Sequence, residues 1–559
     1  MKKPSRTAAH ALLETLVQRG VDRAFCVPGE SYIALLDAIH DRPGFDLVTC
    51  RHEGGAGFMA VADARLTGRP GVVLVSRGPG ASNAAIAIHA AEQDAVPLIL
   101  IVGQVESRDT RRNAFQEIDY KEMFGSVAKW VGEARHPEEM PELAARAWNM
   151  ATQGVPGPVV LSIPEDILAA PCESPTAPMH ASADAGLTAS QVLRIAEALN
   201  SAKQPILLAG REFDVPGGRE SLLRFAETSK VPVAVSFRRQ DLFPNDHVQY
   251  IGDMGLSNPE TQRLAFAEAD LVLALGTRLA DITTQGYTWP TATQTVVHTS
   301  ADPRFLGWRI PATIASTASA PAVVEALREQ QHPTSGERTA WIRRLRAIYE
   351  ADSQIHPKSF TDGLDFLRIV RLVGDVVSRN AIVTLDAGTF AAPFYRKLRW
   401  RSDQRLLAPV SGAMGFGVPA AVAAALRHPE KTVICVVGDG GVLMTGNEFA
   451  VSVARKLPIK VIISENNSYG SIRVHQERAH PRRICGTDLI NPDLQKWAAS
   501  FGVPVIAVQS VSDIEALAAA LVATGPAIAL VKTSLEAVLP ASNVLKALTG
   551  SDQRSLHHG

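Results

Sequence analysis

An α/β fold of three doubly wound parallel-sheet domains is predicted by three observations: the length of 559 residues, strand-sized apolar runs alternating with helical stretches, and two turn-rich breaks between blocks of similar size. A single hydrophobic core stops growing beyond roughly 250–300 residues, so this chain needs several. Residues 71–76 and 97–102 read as strands on either side of a helix starting at Ser82, the pattern of a parallel sheet with crossover helices. The strands are apolar throughout, as a sheet covered on both faces requires. The same kind of run recurs at 159–163, then at 205–209 and 271–275, and again at 432–437 and 459–464. The breaks fall at 170–187, rich in Pro, Ser and Ala, and at 330–362, which holds Gln331-His332-Pro333-Thr334-Ser335-Gly336. Read as linkers, they divide the chain into domains at 1–170, 188–330 and 363–540, each of ordinary domain size.

Composition narrows the function classes. Lys plus Arg (56) nearly cancels Asp plus Glu (57), and the net charge of -1 gives no field that would draw the chain onto nucleic acid or an anionic membrane. A small molecule is the expected partner. The cysteines Cys26, Cys50, Cys172, Cys435 and Cys485 are odd in number, scattered, and never in a C-x-x-C pair, which points to a reducing cytoplasm. The amino-terminal Lys2, Lys3 and Arg6 run into an amphipathic helix over 8–18 without a signal-type apolar block. No apolar run approaches the roughly 18 residues of a membrane span.

The most informative stretch is the strand 432–437 followed by Gly438-Asp439-Gly440-Gly441. Ligands bind at the carboxyl edge of such sheets. Glycines let the backbone approach a phosphate, and the Asp439 carboxylate suits a hard cation that neutralises it. One helix and one strand later comes Glu465-Asn466-Asn467-Ser468-Tyr469, where an Asn amide oxygen and a backbone carbonyl complete an octahedral Mg²⁺ set. The intervening helix carries Thr445-x-x-Glu448, a capping box, which assigns Glu448 to a cap. Alone, the Gly438 turn would read as a tight turn or a damaged dinucleotide fingerprint; the paired arrangement is more specific. The absence of G-x-x-x-x-G-K-[ST] removes the P-loop alternative.

Gly438-Asp439-Gly440 followed by Asn466-Asn467 resembles the motif of thiamine-diphosphate enzymes. From about Ser5 to Lys532 the chain is similar to the family of acetolactate synthase, pyruvate oxidase and the 2-oxo acid decarboxylases, most of all to acetolactate synthase large subunits. Arg51-His52-Glu53-Gly54-Gly55-Ala56-Gly57 resembles the family's catalytic-glutamate segment. Gly78-Pro79-Gly80-Ala81-Ser82-Asn83 and Phe115-Gln116-Glu117 resemble site-lining segments, and Ser411-Gly412-Ala413-Met414-Gly415-Phe416-Gly417 resembles the coenzyme-bending segment.

The resemblance makes the three domains pyrimidine-binding, central and diphosphate-binding, and implies thiamine diphosphate and Mg²⁺. It gives Glu53 the bond to the coenzyme's pyrimidine nitrogen, Met414 the wedge beneath its bend, and Gln116 a catalytic place. The carbonyls of Gly412 and Gly29 face the coenzyme; Gly438, Asp439, Gly440, Gly441, Asn467, Tyr469 and Gly470 hold its diphosphate; Asp439, Asn467 and the Tyr469 carbonyl hold the metal. Phe115, Gln116, Arg473 and His475 are the substrate-side candidates. Read without the resemblance, Glu53 is a first-turn acid favoured by the helix dipole, and Met414 is a gap filler. A site divided between amino- and carboxyl-terminal domains of different subunits implies an obligate homodimer and leaves a tetramer open.

Two departures concern substrate choice. The family's R-F-D-D-R-x-T segment reads Arg278-Leu279-Ala280-Asp281-Ile282-Thr283-Thr284 here, with Ile282 in place of the second Arg, and His475 stands near the place of an acceptor-selecting Trp. Loss of CO₂ from a 2-oxo acid is expected to survive; the acceptor and FAD in the central domain are left open. The basic run Arg478, His480, Arg482 and Arg483 reads as a solvated surface, or as one or two cations that meet an anionic group on the substrate. The readings that stand are a decarboxylase or carboligase acting on a 2-oxo acid, an FAD-dependent oxidase of the pyruvate oxidase kind, and a non-catalytic coenzyme-binding relative.

Overall fold

The computed structural model describes residues 6–179, 185–256, 258–330 and 336–539. They form two compact units, one built from positions up to Asp352 with Arg399–Ala413, the other from Ser353–Leu398 with the positions from Met414 on.

The first unit contains two six-stranded sheets. The strands β1 (Arg23–Cys26), β2 (Asp46–Thr49), β3 (Gly71–Ser76), β4 (Leu98–Gln104), β5 (Trp130–Glu133) and β6 (Pro158–Pro164) take the order β2-β1-β3-β4-β6-β5. Every pairing is parallel. All residues of β4 and β6 are buried, which explains their unbroken apolar runs. The second sheet uses β7 (Pro205–Ala209), β8 (Val233–Ser236), β9 (Tyr250–Met254), β10 (Leu271–Leu275), β11 (Thr295–Thr299) and β12 (Ile314–Ser316) in the order β12-β11-β10-β7-β8-β9.

The second unit is organised on β13 (Ile382–Leu385), β15 (Val433–Gly438), β16 (Ile459–Glu465), β18 (Ala527–Lys532) and β17 (Val505–Val508), side by side in that order and all parallel. The short strand β14 (Arg405–Leu407) lies in the Arg399–Ala413 segment. The winding of the first sheet reverses between β1 and β3, and that of the second between β7 and β10. A crevice opens at the carboxyl ends of strands at each such reversal.

Three local expectations are corrected. The crossover helix after β3 begins at Arg77, not Ser82; Pro79 sits in its first turn, where a missing N–H costs nothing. The second break is largely helical: Gly336–Asp352 is a 17-residue helix. Its Trp341, Leu345 and Tyr349 are buried at successive four-residue spacings, and its buried Arg338 donates to the carbonyls of Leu199 and Ala202 at 2.6 and 2.7 Å. The Gln331–Ser335 part of that break lies outside the described residues, as do 180–184 of the first. Finally, the Thr445-x-x-Glu448 box does not form. The helix after β15 starts at Asp439, and the Thr445 hydroxyl donates instead to the Gly415 carbonyl at 2.5 Å.

Candidate active site

Glu53 is the first residue of the helix Glu53–Thr67 that follows β2, and the His52 ring accepts from the Gly54 N–H at its start. The small residues after it have a packing purpose. A Cβ on Gly57 would lie 2.3 Å from the Ala87 Cβ, and one on Gly54 would lie 3.2 Å from the Asn83 carbonyl. The helix after β3 therefore lies close against this one, bringing the Asn83 amide to within 2.9 Å of Glu53 Oε2 as a donor. The other oxygen, Oε1, faces Gly80, 3.4 Å from where a Cβ there would stand. Sequence reasoning placed Asn83 in a site-lining segment without assigning it this bond.

Around Glu53 the other first-sheet residues converge on the reversal between β1 and β3. Gly29 follows β1, and its hydrogen faces the Ser76 side chain at the end of β3, where a Cβ would collide at 2.3 Å. Gln116 has φ 66°, a strained value for a side-chain-bearing residue. Its carbonyl accepts from the Gly78 N–H at 3.0 Å, and the neighbouring Glu117 carboxylate ties the loop back through the Ala114 N–H at 3.0 Å. Phe115 beside it is 78% exposed, an apolar ring held outward on a pinned loop.

In the second unit, the Gly438-Asp439 turn ends β15 and Asn466-Asn467 ends β16. The Asp439 carboxyl is buried and takes four N–H donors: Gly440 on Oδ1 at 2.9 Å, and Asn466 at 3.2 Å, Asn467 at 2.6 Å and the Asn491 amide at 3.0 Å on Oδ2. Burial still outweighs these bonds and raises its pKa above the usual carboxylate value. Glu465 is also pushed up, first by burial, then by Asp439 and Asp493. Negative charge thus crowds one end of the sheet, a setting for a cation.

Asn467 adopts φ 54°, which Asn tolerates better than most residues. Gly440 is required because a Cβ there would lie 2.6 Å from the Tyr469 ring. The Tyr469 carbonyl accepts from the Ile472 and Arg473 N–H groups, both at 3.0 Å, in the first turn of the helix Gly470–Ala479. Among the described residues no group of three or more His, Cys, Asp or Glu side chains converges on a metal position, so a cation here relies on mixed oxygen donors.

Met414 is half-buried, and its loop is anchored by a residue the sequence motifs did not include. Asp386, fully buried after β13, accepts from the Ala387 N–H at 2.7 Å and the Gly415 N–H at 3.0 Å on Oδ1, and from the Gly417 N–H at 3.0 Å on Oδ2. Two residues before Met414, Gly412 has φ 73° with open space where a Cβ would be. The substrate-side candidates of this unit are unequal: Arg473 is paired with Asp488, whereas His475 is exposed. Arg478, His480, Arg482 and Arg483 are exposed too.

The second sheet has its own crevice. A cavity of about 1050 Å³ opens at the β7–β10 reversal, with Arg211, Arg239, Arg278, Asp281, Ile282 and His298 in its wall. His298 Nε2 lies 2.8 Å from the Thr277 carbonyl, and burial lowers the ring's pKa, so the ring is neutral with its proton on Nε2. Its Nδ1 is buried without a hydrogen-bond partner, as are Arg211 Nε and Arg239 Nη1.

The chain matches the models of the thiamine pyrophosphate enzyme N-terminal binding domain at residues 6–123, the central domain at 192–327 and the C-terminal binding domain at 386–531. The chain belongs to the thiamine pyrophosphate enzyme family. It is 30% identical over 514 residues to the acetolactate synthase isozyme 3 large subunit of Escherichia coli, covering 89% of this chain and 88% of that protein. It is 29% identical to the probable acetolactate synthase large subunit of Methanocaldococcus jannaschii (91% and 88% covered) and to the acetolactate synthase large subunit of Lactococcus lactis (90% and 88%). It is a thiamine-diphosphate-dependent enzyme of the acetolactate synthase type.

Proposed function

We propose that the chain is a Mg²⁺-dependent decarboxylase and carboligase that removes CO₂ from a 2-oxo acid and passes the remaining acyl group to an acceptor. The observation that carries this reading is Glu53: a carboxyl at the first residue of a helix, at the reversal of its sheet, held on one oxygen by Asn83 and leaving the other toward Gly80. A titratable group so fixed moves one proton to or from a bound partner without reorganising. Thiamine diphosphate, when bound, supplies the electron sink that no side chain offers.

The remaining residues have binding roles. Asp439 and the Asn467 carboxamide supply hard oxygens for Mg²⁺, and Asp439 Oδ1, with one N–H donor against three on Oδ2, keeps the freer lone pairs. The Tyr469 carbonyl is the third protein ligand and shares its oxygen with the first turn of the following helix. Met414, on a loop fixed by Asp386, shapes the coenzyme. Phe115 and Gln116 border the substrate, with Arg473 and His475 as further candidates. The working form is a cytoplasmic homodimer or tetramer; among the described residues no helix is long and apolar enough to cross a membrane. A screen of 2-oxo acids for CO₂ release dependent on both thiamine diphosphate and Mg²⁺, with product identification, tests the reading. Release that is unchanged without the coenzyme counts against it.

A second reading is favoured by the central cavity. The basic side chains Arg211, Arg239 and Arg278 in its wall suit an anionic ligand. We take this to be a nucleotide, FAD or one without a flavin. Absorbance near 450 nm in the purified protein separates a flavin from a colourless nucleotide; if neither is released on denaturation, the assignment fails.

A further inference from the structure

We propose that Asn491 is the positioning residue that turns the oxygen of the Asn467 carboxamide toward the metal. This rests on the reading of Asp439 and Asn467 as Mg²⁺ ligands. Asn491 lies outside the glycine-rich and Asn-Asn motifs, in the segment that returns past β16. That return is fixed by backbone bonds: the Tyr469 N–H donates to the Thr487 carbonyl at 2.9 Å, and the Leu489 N–H to the Asn467 carbonyl at 2.8 Å. The Ser468 hydroxyl donates to Thr487 as well, at 2.9 Å. Two residues further on, the Asn491 side chain meets both proposed ligands, its nitrogen 3.0 Å from Asp439 Oδ2 and 3.0 Å from Asn467 Oδ1.

The chemistry of the three groups decides which atom faces which. A carboxylate only accepts, so the end of Asn491 that faces Asp439 is its NH₂. The same NH₂ faces Asn467, so Asn467 must present its oxygen; its own NH₂ there would set donor against donor. The polarity of Asp439 is thereby relayed through Asn491 to Asn467. That matters because a carboxamide rotates readily about its last bond, and only its oxygen binds a hard cation. Asn467 is exposed, and no other hydrogen bond to its side chain is found among the described residues. Without Asn491, the amide would turn nitrogen or oxygen to the ion with similar ease. Partners of this kind orient metal ligands from outside the coordination sphere, and their loss typically costs 10–100-fold in metal affinity.

The test is a double-mutant cycle on Mn²⁺ binding, followed by electron paramagnetic resonance of the free ion with thiamine diphosphate present. Asn491→Ala is expected to weaken Mn²⁺ binding about 10–100-fold relative to the parent. In an Asn467→Ala background the same change should cost clearly less, because the amide it orients is gone and only the bond to Asp439 is lost. Turnover of Asn491→Ala should return close to the parental value at saturating Mn²⁺, with the half-saturation point displaced. Asn491→Ser, too short to bridge the two oxygens, should behave alike and serves if the alanine variant folds poorly. Parental Mn²⁺ affinity in the single variants, or an equal penalty in both backgrounds, overturns the inference. Failure of the underlying reading looks different: the parent and Asp439→Ala would then bind Mn²⁺ equally.

Discussion

Replacing Glu53 by Gln separates coenzyme binding from catalysis. The substitution keeps side-chain volume, and Asn83 dictates how the new amide sits. Its Nδ2 donates to Glu53 Oε2 at 2.9 Å, so a Gln must place its oxygen there, which sends its NH₂ toward Gly80. The bond to Asn83 survives, and folding stability should change by no more than about 1 kcal/mol, the net worth of one such bond. What is lost is the exchangeable carboxyl proton on the side facing the site. Turnover should fall by roughly 10²–10⁴-fold, the usual contribution of a positioned acid–base group, while thiamine diphosphate affinity changes less than about tenfold, or 1.4 kcal/mol. Calorimetry measures the affinity, and quenched-flow NMR measures proton exchange at the thiazolium carbon, which should slow in parallel with turnover. Parental exchange and turnover would show that Glu53 is only a helix-start acid.

Asp439→Ala should abolish Mg²⁺-dependent coenzyme binding in a titration, and parental affinity would refute the metal assignment. Asp386→Asn replaces one buried acceptor oxygen by an NH₂ that faces a backbone N–H, so urea unfolding should show a loss of about 1–3 kcal/mol; turnover should fall because the Met414 loop loses its anchor. With Ile282 and His475 in place of the Arg and Trp of related enzymes, acetolactate formation from two pyruvates should be slow, since losing an Arg–carboxylate contact costs a few kcal/mol, about two orders of magnitude. Rapid acetolactate production would refute that expectation. Burial sets the folded-state pKa of His298 below 6.5. Its contribution is therefore complete above the unfolded pKa and is lost as pH falls through about 6.5 toward the folded value. The parent should lose stability in that window relative to His298→Asn, and a pH-independent difference between the two would contradict it.

Much of the fold was legible because parallel strands buried on both faces must be almost wholly apolar. The runs at 71–76, 205–209 and 271–275 are strands with those same limits. The helix Gly336–Asp352 was not legible for the opposite reason. Its buried face is a narrow stripe of Trp341, Leu345 and Tyr349 among many charged residues, and it follows a Pro-, Ser- and Gly-containing segment that reads as a linker. Thr445-x-x-Glu448 misled because a capping pattern is local, whereas the Thr445 hydroxyl is taken by Gly415, 30 positions away in sequence.

The same distinction divides the candidate site. Motif glycines and Asp439 could be found because a close backbone approach and a hard ligand leave marks in consecutive residues. Asp386 and Asn491 left none, and the segment that holds Asn83 did not show its partner: each acts on a residue 24 to 30 positions away, as in the Asn83–Glu53, Asp386–Gly415 and Asn491–Asn467 bonds. An isolated Asn or Asp in a loop reads equally well as a turn former. What links the three is topology. Each donates to, or accepts from, a group in the segments that follow the carboxyl ends of strands, where polar groups are left unpaired by the ladder. Those edges need side chains from the adjoining loops to fix their geometry, and the residues that fix it are set by which strands are neighbours, which a single sequence does not spell out.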